Sequence, residues 1–416
     1  MLKRIHVQHL TLGMYLHEFC GSWMEHPFWR TRFLLEDAHD LELIHASEIH
    51  EVWIDVSKGL DVAAGTHSVS RAEADAQAEA DLQQAAAHSA SAHPAPNIRR
   101  QPSPMVQELR RAAQICAASK KAVVSMFHEA RMGRAVDPAQ AQELIEDMSD
   151  SIARNPGALV SLARLKTADD YTYMHSVAVA ALMISLARNL GMNEEAVHIA
   201  GTAGLMHDLG KAKMPMEVLN KPGKLTDEEF AIMRAHPVHS HAMLKDSGLH
   251  PQALDACLHH HEKMDGTGYP DRLQGEQISV LARMTAICDV YDAITSNRPY
   301  KNGWDPSESL RRMAEWSKDH FDARLFQAFV KTMGIYPVGS LVRLGSGRLA
   351  VVTEQSPDAL LAPRVRVFYS TKSQLRIPPE LLDLSRPGCT EKIVAREDPA
   401  QWNFPDLNDL WSSAGA

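Results

Sequence analysis

Five stretches of this 416-residue chain carry side chains that could hold metal ions. The densest is 259–270, HHHEKMDGTGYP, in which three imidazoles and an acid run into a glycine-rich loop. Neutral imidazole is the commonest protein ligand for first-row metals. Gly266 and Gly268 can take positive φ and Pro270 fixes its own, so the second half reads as a rigid rim to such a site. A histidine run alone is more often a solvated stretch; here matching pieces recur elsewhere in the chain. In LMHDLGK, His207 and Asp208 are adjacent, and a carboxylate can bridge two cations while its imidazole neighbour ligates one. Lys211 follows one helical turn after Asp208, within reach of an anion bound there. His236 precedes a proline in AHPVHSHA, and Asp289 lies in TAICDVYDAI. His175 sits in the otherwise apolar YTYMHSVAVA, where a lone histidine is more often part of a core. Histidine and carboxylate without thiolate suit Fe or Mn, with Zn, Ni or Co allowed by affinity order. Cys288 adjoins Asp289 but points about 100° away on a helix, so it is assigned to the core.

The elements that must position these groups are mainly helical. From 105 to about 335 apolar residues recur at helical intervals, as in Val106, Leu109, Ala113, Cys116 and again in Val177, Ala181, Ile184, Ala187. Asp137-Pro138 reads as an N-cap with proline in the first turn, and Gly191, Gly223 and Gly248 as stops after helices. Residues 1–63 mix short β-like runs with turns and predict a small α+β domain. Residues 64–104, rich in Ala, Gln and Ser and ending in HPAPNIRRQPSP, predict a linker with a helical first half. Residues 336–416 contain three strand-like runs, Leu341–Leu344, Leu349–Thr353 and Val365–Phe368, and predict a small β appendage with a polar tail. The fold class is therefore multidomain and mainly α, with a small α+β N-terminal domain and a β appendage. Few contacts are expected across the linker, so removal of residues 1 to about 100 is expected to leave an active protein.

Composition excludes several classes. A formal net charge of −9 argues against nucleic-acid polymers and anionic membranes as partners. The longest apolar run, Val177–Leu186, is too short for a membrane span and fits a buried helix. Five scattered cysteines without a CxxC predict no disulfide framework and a cytoplasmic location.

The strings HDLGK, HHEKMDGTGYP and DVYDAITSNRPYK resemble the HD-GYP domain proteins, metal-dependent phosphohydrolases that cleave the bacterial second messenger cyclic di-GMP. The resemblance covers about 168 to 336, and GMYL, GSW, HPF and IDVSKG resemble an uncharacterised domain that often precedes such modules. It implies an HD-type helical bundle and makes His175, His207, Asp208, His236, His260, His261 and Asp289 metal ligands. His259 falls outside the pair that precedes the acid. Lys211, Arg298 and Lys301 match residues that contact substrate phosphate, and Gly268-Tyr269-Pro270 match the loop that names the family. Asp292, one turn after Asp289, is expected to hold Lys211 or to orient a ligand.

Some members bind three metals and carry a glutamate four residues before the histidine matching His175. Here that residue is Tyr171, which is expected to line the pocket or bond substrate, so two metals per chain are expected. The implied reaction is in-line attack by a metal-bridging hydroxide to give pGpG and further GMP, with Asp208 and Lys211 as the catalytic pair. The alternatives are another cyclic dinucleotide or nucleotide as substrate, or a messenger-binding receptor with little turnover. A homodimer and a signalling partner at the N-terminal domain or the GYP loop complete the expected associations.

Overall fold

Short strand-forming runs near the N-terminus make a five-stranded antiparallel sheet. Its strands are β1 (Leu2–His6), β2 (Tyr15–Phe19), β3 (Phe33–Leu34), β4 (Glu51–Asp55) and β5 (Val69–Ser70), in the order β3-β2-β4-β1-β5. Helix α1 (Ala38–His45), capped by the Asp37 carboxylate, closes over a core that includes Ile5, Leu16, Ile44, Val52 and Ile54. The computed structural model describes all residues except 21–31, 48, 64, 88–102, 135–137, 165–170, 222, 224, 297–302, 317–319, 357–358 and 413–416. The expected cap at Asp137 lies outside the described residues.

Thirteen helices lie between the two sheets of the chain among the described residues: α2 (Arg71–Ala87), α3 (Met105–Arg131), α4 (Pro138–Arg154), α5 (Pro156–Arg164), α6 (Tyr171–Asn189), α7 (Glu194–Met206), α8 (Met216–Leu219), α9 (Asp227–Met233), α10 (His236–Leu244), α11 (Pro251–His259), α12 (Val280–Thr295), α13 (Pro306–Trp316) and α14 (Ala323–Met333). Their starts follow side-chain chemistry. Asn193, Ser279 and Asp322 each accept a backbone N–H of the first turn they precede, and Thr226 with Glu229 forms a reciprocal capping box. Every residue of α6 from Val177 to Ala187 is buried, because α3, α5, α7 and α12 surround it. A helix apolar on all faces belongs in such a centre. No described helix is long and apolar enough to cross a membrane.

Two flanking stretches are more firmly attached than their composition suggests. Inside the expected linker, α2 lies on α13 and α14 and places Ala78 and Leu82 in the helical core. The second sheet, β6 (Leu341–Leu344), β7 (Arg348–Glu354), β8 (Arg364–Ser370), β9 (Leu375–Asp383) and β10 (Ile393–Arg396), has the order β10-β6-β7-β8-β9. One face, with Val342, Ala350, Val352 and Val365, joins the helical core. The other, with Leu341, Val351 and Phe368, is covered by Trp402, Phe404, Leu407 and Trp411. The tail expected to be polar thus folds back through its aromatic residues, a pattern too sparse to show periodicity.

Candidate metal centre

Six helices and turns deliver the candidate ligands to one buried point. His175 projects from α6, His207 ends α7, and Asp208 opens the 3₁₀ turn Leu209–Lys213 that carries Lys211. His236 begins α10, His260 and His261 follow α11, and Asp289 lies on α12. Turn and helix are locked together by Gly210, where a Cβ would sit 2.0 Å from the His236 carbonyl oxygen and 2.5 Å from Ser240 N. The Ser240 hydroxyl donates to the His207 carbonyl at 2.8 Å and accepts from Gly210 N at 2.7 Å. Glycine is required there by close backbone approach.

The hydrogen bonds set each imidazole's tautomer. His207, His236 and His260 place Nδ1 2.8, 2.7 and 3.0 Å from the carbonyl oxygens of Gly204, Met233 and Cys257. A carbonyl only accepts, so each Nδ1 carries the proton and each Nε2 presents a lone pair inward. His236 Nε2 and His260 Nε2 lie 3.3 Å apart, and His236 Nε2 lies 3.2 Å from Asp208 Oδ1. Three acceptor atoms facing one another at these distances repel unless a cation stands among them. Both His207 Nε2 and Asp208 Oδ1 are buried without a hydrogen-bond partner, which normally carries a cost of a few kcal/mol. The donor set therefore fits a metal.

Asp208 divides its oxygens between two groups. Oδ2 is 3.4 Å from both His175 Nε2 and His207 Nε2, whereas Oδ1 faces His236 and, at 3.9 Å, His260. Ligand atoms of His175, His207 and Asp289 form one cluster, and those of His236, His260 and His261 another. His175 Nε2 is 2.9 Å from Asp289 Oδ1, and His261 Nδ1 is 4.0 Å from Asp289 Oδ2. Lys211 Nζ reaches Asp208 Oδ2 at 2.5 Å.

Burial and charge oppose one another across this cluster. Burial, reinforced by neighbouring imidazoles, depresses His260 and His261 well below the ordinary histidine pKa, and burial also lowers His207. Burial alone would raise Asp208, but Lys211 and then His207 outweigh it and hold the carboxyl well below its usual range. Asp289 is held down in the same way by His175 against its burial. Burial would lower His175, yet Asp289 and Asp292 raise it. The neutral imidazoles of His207, His260 and His261 beside ionised carboxylates are the protonation states that metal binding demands.

The expected site residues are distributed as follows. His175, His207, Asp208, His236, His260, His261 and Asp289 converge. His259 does not; its ring nitrogens meet Asp255 at 2.8 Å and Asp271 at 3.0 Å. Asp292 accepts from His175 Nδ1 at 2.6 Å, while Lys211 pairs with Asp208. Tyr269 stacks on His261 with ring centroids 4.7 Å apart. Gly268 is fixed by crowding, since a Cβ would come within 2.4 Å of Glu262 Cα. The Tyr269-Pro270 peptide is cis. Arg298 and Lys301 lie outside the described residues, as does the side chain of Tyr171.

Two contributors escaped sequence reasoning. Ser240 had only its place four residues after His236 to mark it. Buried Glu262 accepts from Asp271 N at 2.7 Å and Leu273 N at 3.1 Å, pinning the loop it precedes; its only signal was an acid beside a glycine-rich turn.

Comparison with known proteins places this geometry. Residues 146–325 match the family model described as HD domain, and residues 2–141 match one described as a domain of unknown function, DUF3391. The chain is 52% identical to the cyclic di-GMP phosphodiesterase PA4108 of Pseudomonas aeruginosa, over 99% of this chain and 96% of that one. The chain belongs to the HD-GYP family. Among more distant HD-GYP relatives, the cyclic di-GMP phosphodiesterase response regulator RpfG of Xanthomonas campestris is 37% identical over 46% of this chain and 51% of its own. The 3'3'-cGAMP-specific phosphodiesterase 1 of Vibrio cholerae is 36% identical over 40% of this chain and 39% of its own. The chain is thus similar to relatives named for two cyclic dinucleotides.

Proposed function

We propose that the protein is a metal-dependent phosphodiesterase that opens cyclic di-GMP to pGpG, with residues 105–335 as its catalytic domain. The observation that carries this reading is the divided carboxylate of Asp208, one oxygen toward each histidine group, which suits two cations sharing one bridge. One cation would be held by His175, His207 and Asp289, the other by His236, His260 and His261. Fe or Mn fits the donor set best, and Zn, Ni or Co fits it next. Bound there, divalent cations supply Lewis-acid neutralisation of the phosphodiester and a nucleophilic hydroxide at neutral pH.

The chain's own residues do the rest. Asp292 orients His175 and raises its basicity as a ligand. Lys211, already beside Asp208, places its ammonium where a non-bridging phosphate oxygen gains charge. Tyr269 and Pro270 form the rim, and Glu262 and Gly268 keep that rim rigid. Arg298 and Lys301 are assigned to the second phosphate or the guanine end, and Tyr171 to the pocket wall. Five free cysteines support a cytoplasmic location, where reduced thiols persist.

Anaerobically purified protein loaded with Mn²⁺ or Fe²⁺ and given cyclic di-GMP or 3',3'-cGAMP, with products separated by chromatography, tests the reading. Turnover of cyclic di-GMP to pGpG with about two equivalents of metal per chain is expected. Faster turnover of 3',3'-cGAMP would reassign the substrate. Tight binding without turnover by fully loaded protein would make it a receptor.

A further inference from the structure

Arg234 stands two residues before His236, at the C-terminal cap of α9. Its guanidinium carbon lies 4.5 Å from the centroid of the Tyr269 ring and 5.7 Å from that of Phe230. Tyr269 in turn stacks on His261. The cation is therefore held by aromatic faces one ring removed from a proposed metal ligand. Among the described residues no carboxylate lies within ion-pair distance of it. Five arginines shielded from solvent, Arg154, Arg188, Arg283, Arg311 and Arg312, each pair with an acid instead.

Stacking engages the flat face of a guanidinium and leaves its five N–H donors pointing outward in the plane. A half-buried cation fixed this way keeps its hydrogen-bonding capacity for a ligand. That fork matches a pair of acceptor atoms, either two non-bridging phosphate oxygens or the O6 and N7 of a guanine. We propose that Arg234 is a substrate-binding residue that receives such an acceptor pair of the cyclic dinucleotide on the GYP side of the metal centre. This inference rests on the reading of the site as a cyclic dinucleotide phosphodiesterase. Lys211 lies beside Asp208 at the scissile phosphate, so Arg234, on the GYP side, adds a positive group to those assigned to the rest of the dinucleotide. A small diester with one phosphate and no base would not span both.

The test compares wild type, Arg234→Ala and Arg234→Lys, each checked for metal content, in hydrolysis of bis(p-nitrophenyl) phosphate. Cyclic di-GMP and cyclic di-AMP are added as inhibitors. Arg234→Ala is expected to raise the inhibition constant of cyclic di-GMP about tenfold or more, as loss of one bidentate contact does, and by a larger factor than it lowers small-diester kcat/KM. Arg234→Lys, which keeps charge without the planar fork, should recover part of the affinity. Equal weakening of both cyclic dinucleotides assigns the acceptor pair to phosphate, and weakening of cyclic di-GMP alone assigns it to guanine. An unchanged inhibition constant, or a fall in small-diester kcat/KM as large as the loss of dinucleotide affinity, overturns the proposal and leaves Arg234 as a prop for Tyr269. Because the readout is inhibition, it does not require wild type to cleave cyclic di-GMP. Absence of that cleavage would sink the functional reading and leave this inference to be decided by the inhibition constants.

Discussion

At the residue scale, Asp208 and Lys211 are separable although their side chains touch. Replacing Asp208 with alanine removes a carboxylate whose two oxygens face different histidine clusters, so bound metal and turnover should be lost together; elemental analysis beside a rate assay checks this. A variant that kept both equivalents and near-normal rates would rule out the shared bridge. Lys211→Ala should retain its metal while kcat falls about a hundredfold, the usual scale for an electrostatic donor in a transition state. Metal loss in that variant would make the lysine structural. The side chains that converge were legible because histidine and aspartate declare their chemistry by type, and because His207-Asp208 and His260-His261 are adjacent. Ser240 and Glu262 were not, since what they hold is backbone: the His207 carbonyl, the Gly210 amide, the amides of Asp271 and Leu273. Partners of that kind leave no residue type to read.

At the element scale, the site depends on how closely the turn after α7 approaches α10. Gly210→Ala would drive a methyl group into the His236 carbonyl, and backbone cannot yield as a flexible side chain does. Destabilisation of about 1–3 kcal/mol by overpacking is expected, together with weaker metal retention, measurable by thermal melts with and without added Mn²⁺. The contact between α13 and the N-terminal region should respond to acid. Burial alone would raise the Glu308 carboxyl, but Arg311 and Arg312 outweigh it and hold its pKa at about 2. A carboxyl lowered on folding stabilises fully above its unfolded pKa, near 4.5, and that stability drains away as pH falls from there towards about 2. Glu308→Gln should flatten this part of the acid profile, followed by the fluorescence of Trp304, which lies under the Arg312 guanidinium. An identical acid profile in the variant would remove Glu308 as the sensor. Helical periodicity disclosed α3 and α6, and strand-like runs disclosed β6, β7 and β8 but not β9 or β10. It undervalued α2, whose alanines and charges gave a weak apolar stripe while its partners lay far along the chain.

At the scale of the whole molecule, α2 joins parts that the sequence keeps apart. Its Asp75 meets Arg311 of α13, its Glu79 meets Arg396 of β10, and Glu18 of β2 meets Arg312. Removal of residues 1 to about 100, expected from composition to be harmless, strips Ala78 and Leu82 from the helical core. It should lower stability by about 2 kcal/mol or more, whereas a cut before residue 66 that keeps α2 should cost less; melting curves of the two truncations decide it. Equal melting of both would return α2 to the status of a tether. The same joint has a consequence in time. Asp75 and Arg311 are 236 residues apart, so at about 5–20 residues per second α2 is made roughly 10–50 s before its seat exists. The N-terminal sheet, with its pairings all within the first 70 residues, can close while the ribosome is still working. Helix α2 must wait at the exit as a soluble, charge-rich strand of chain, and its thin apolar stripe suits it to that delay.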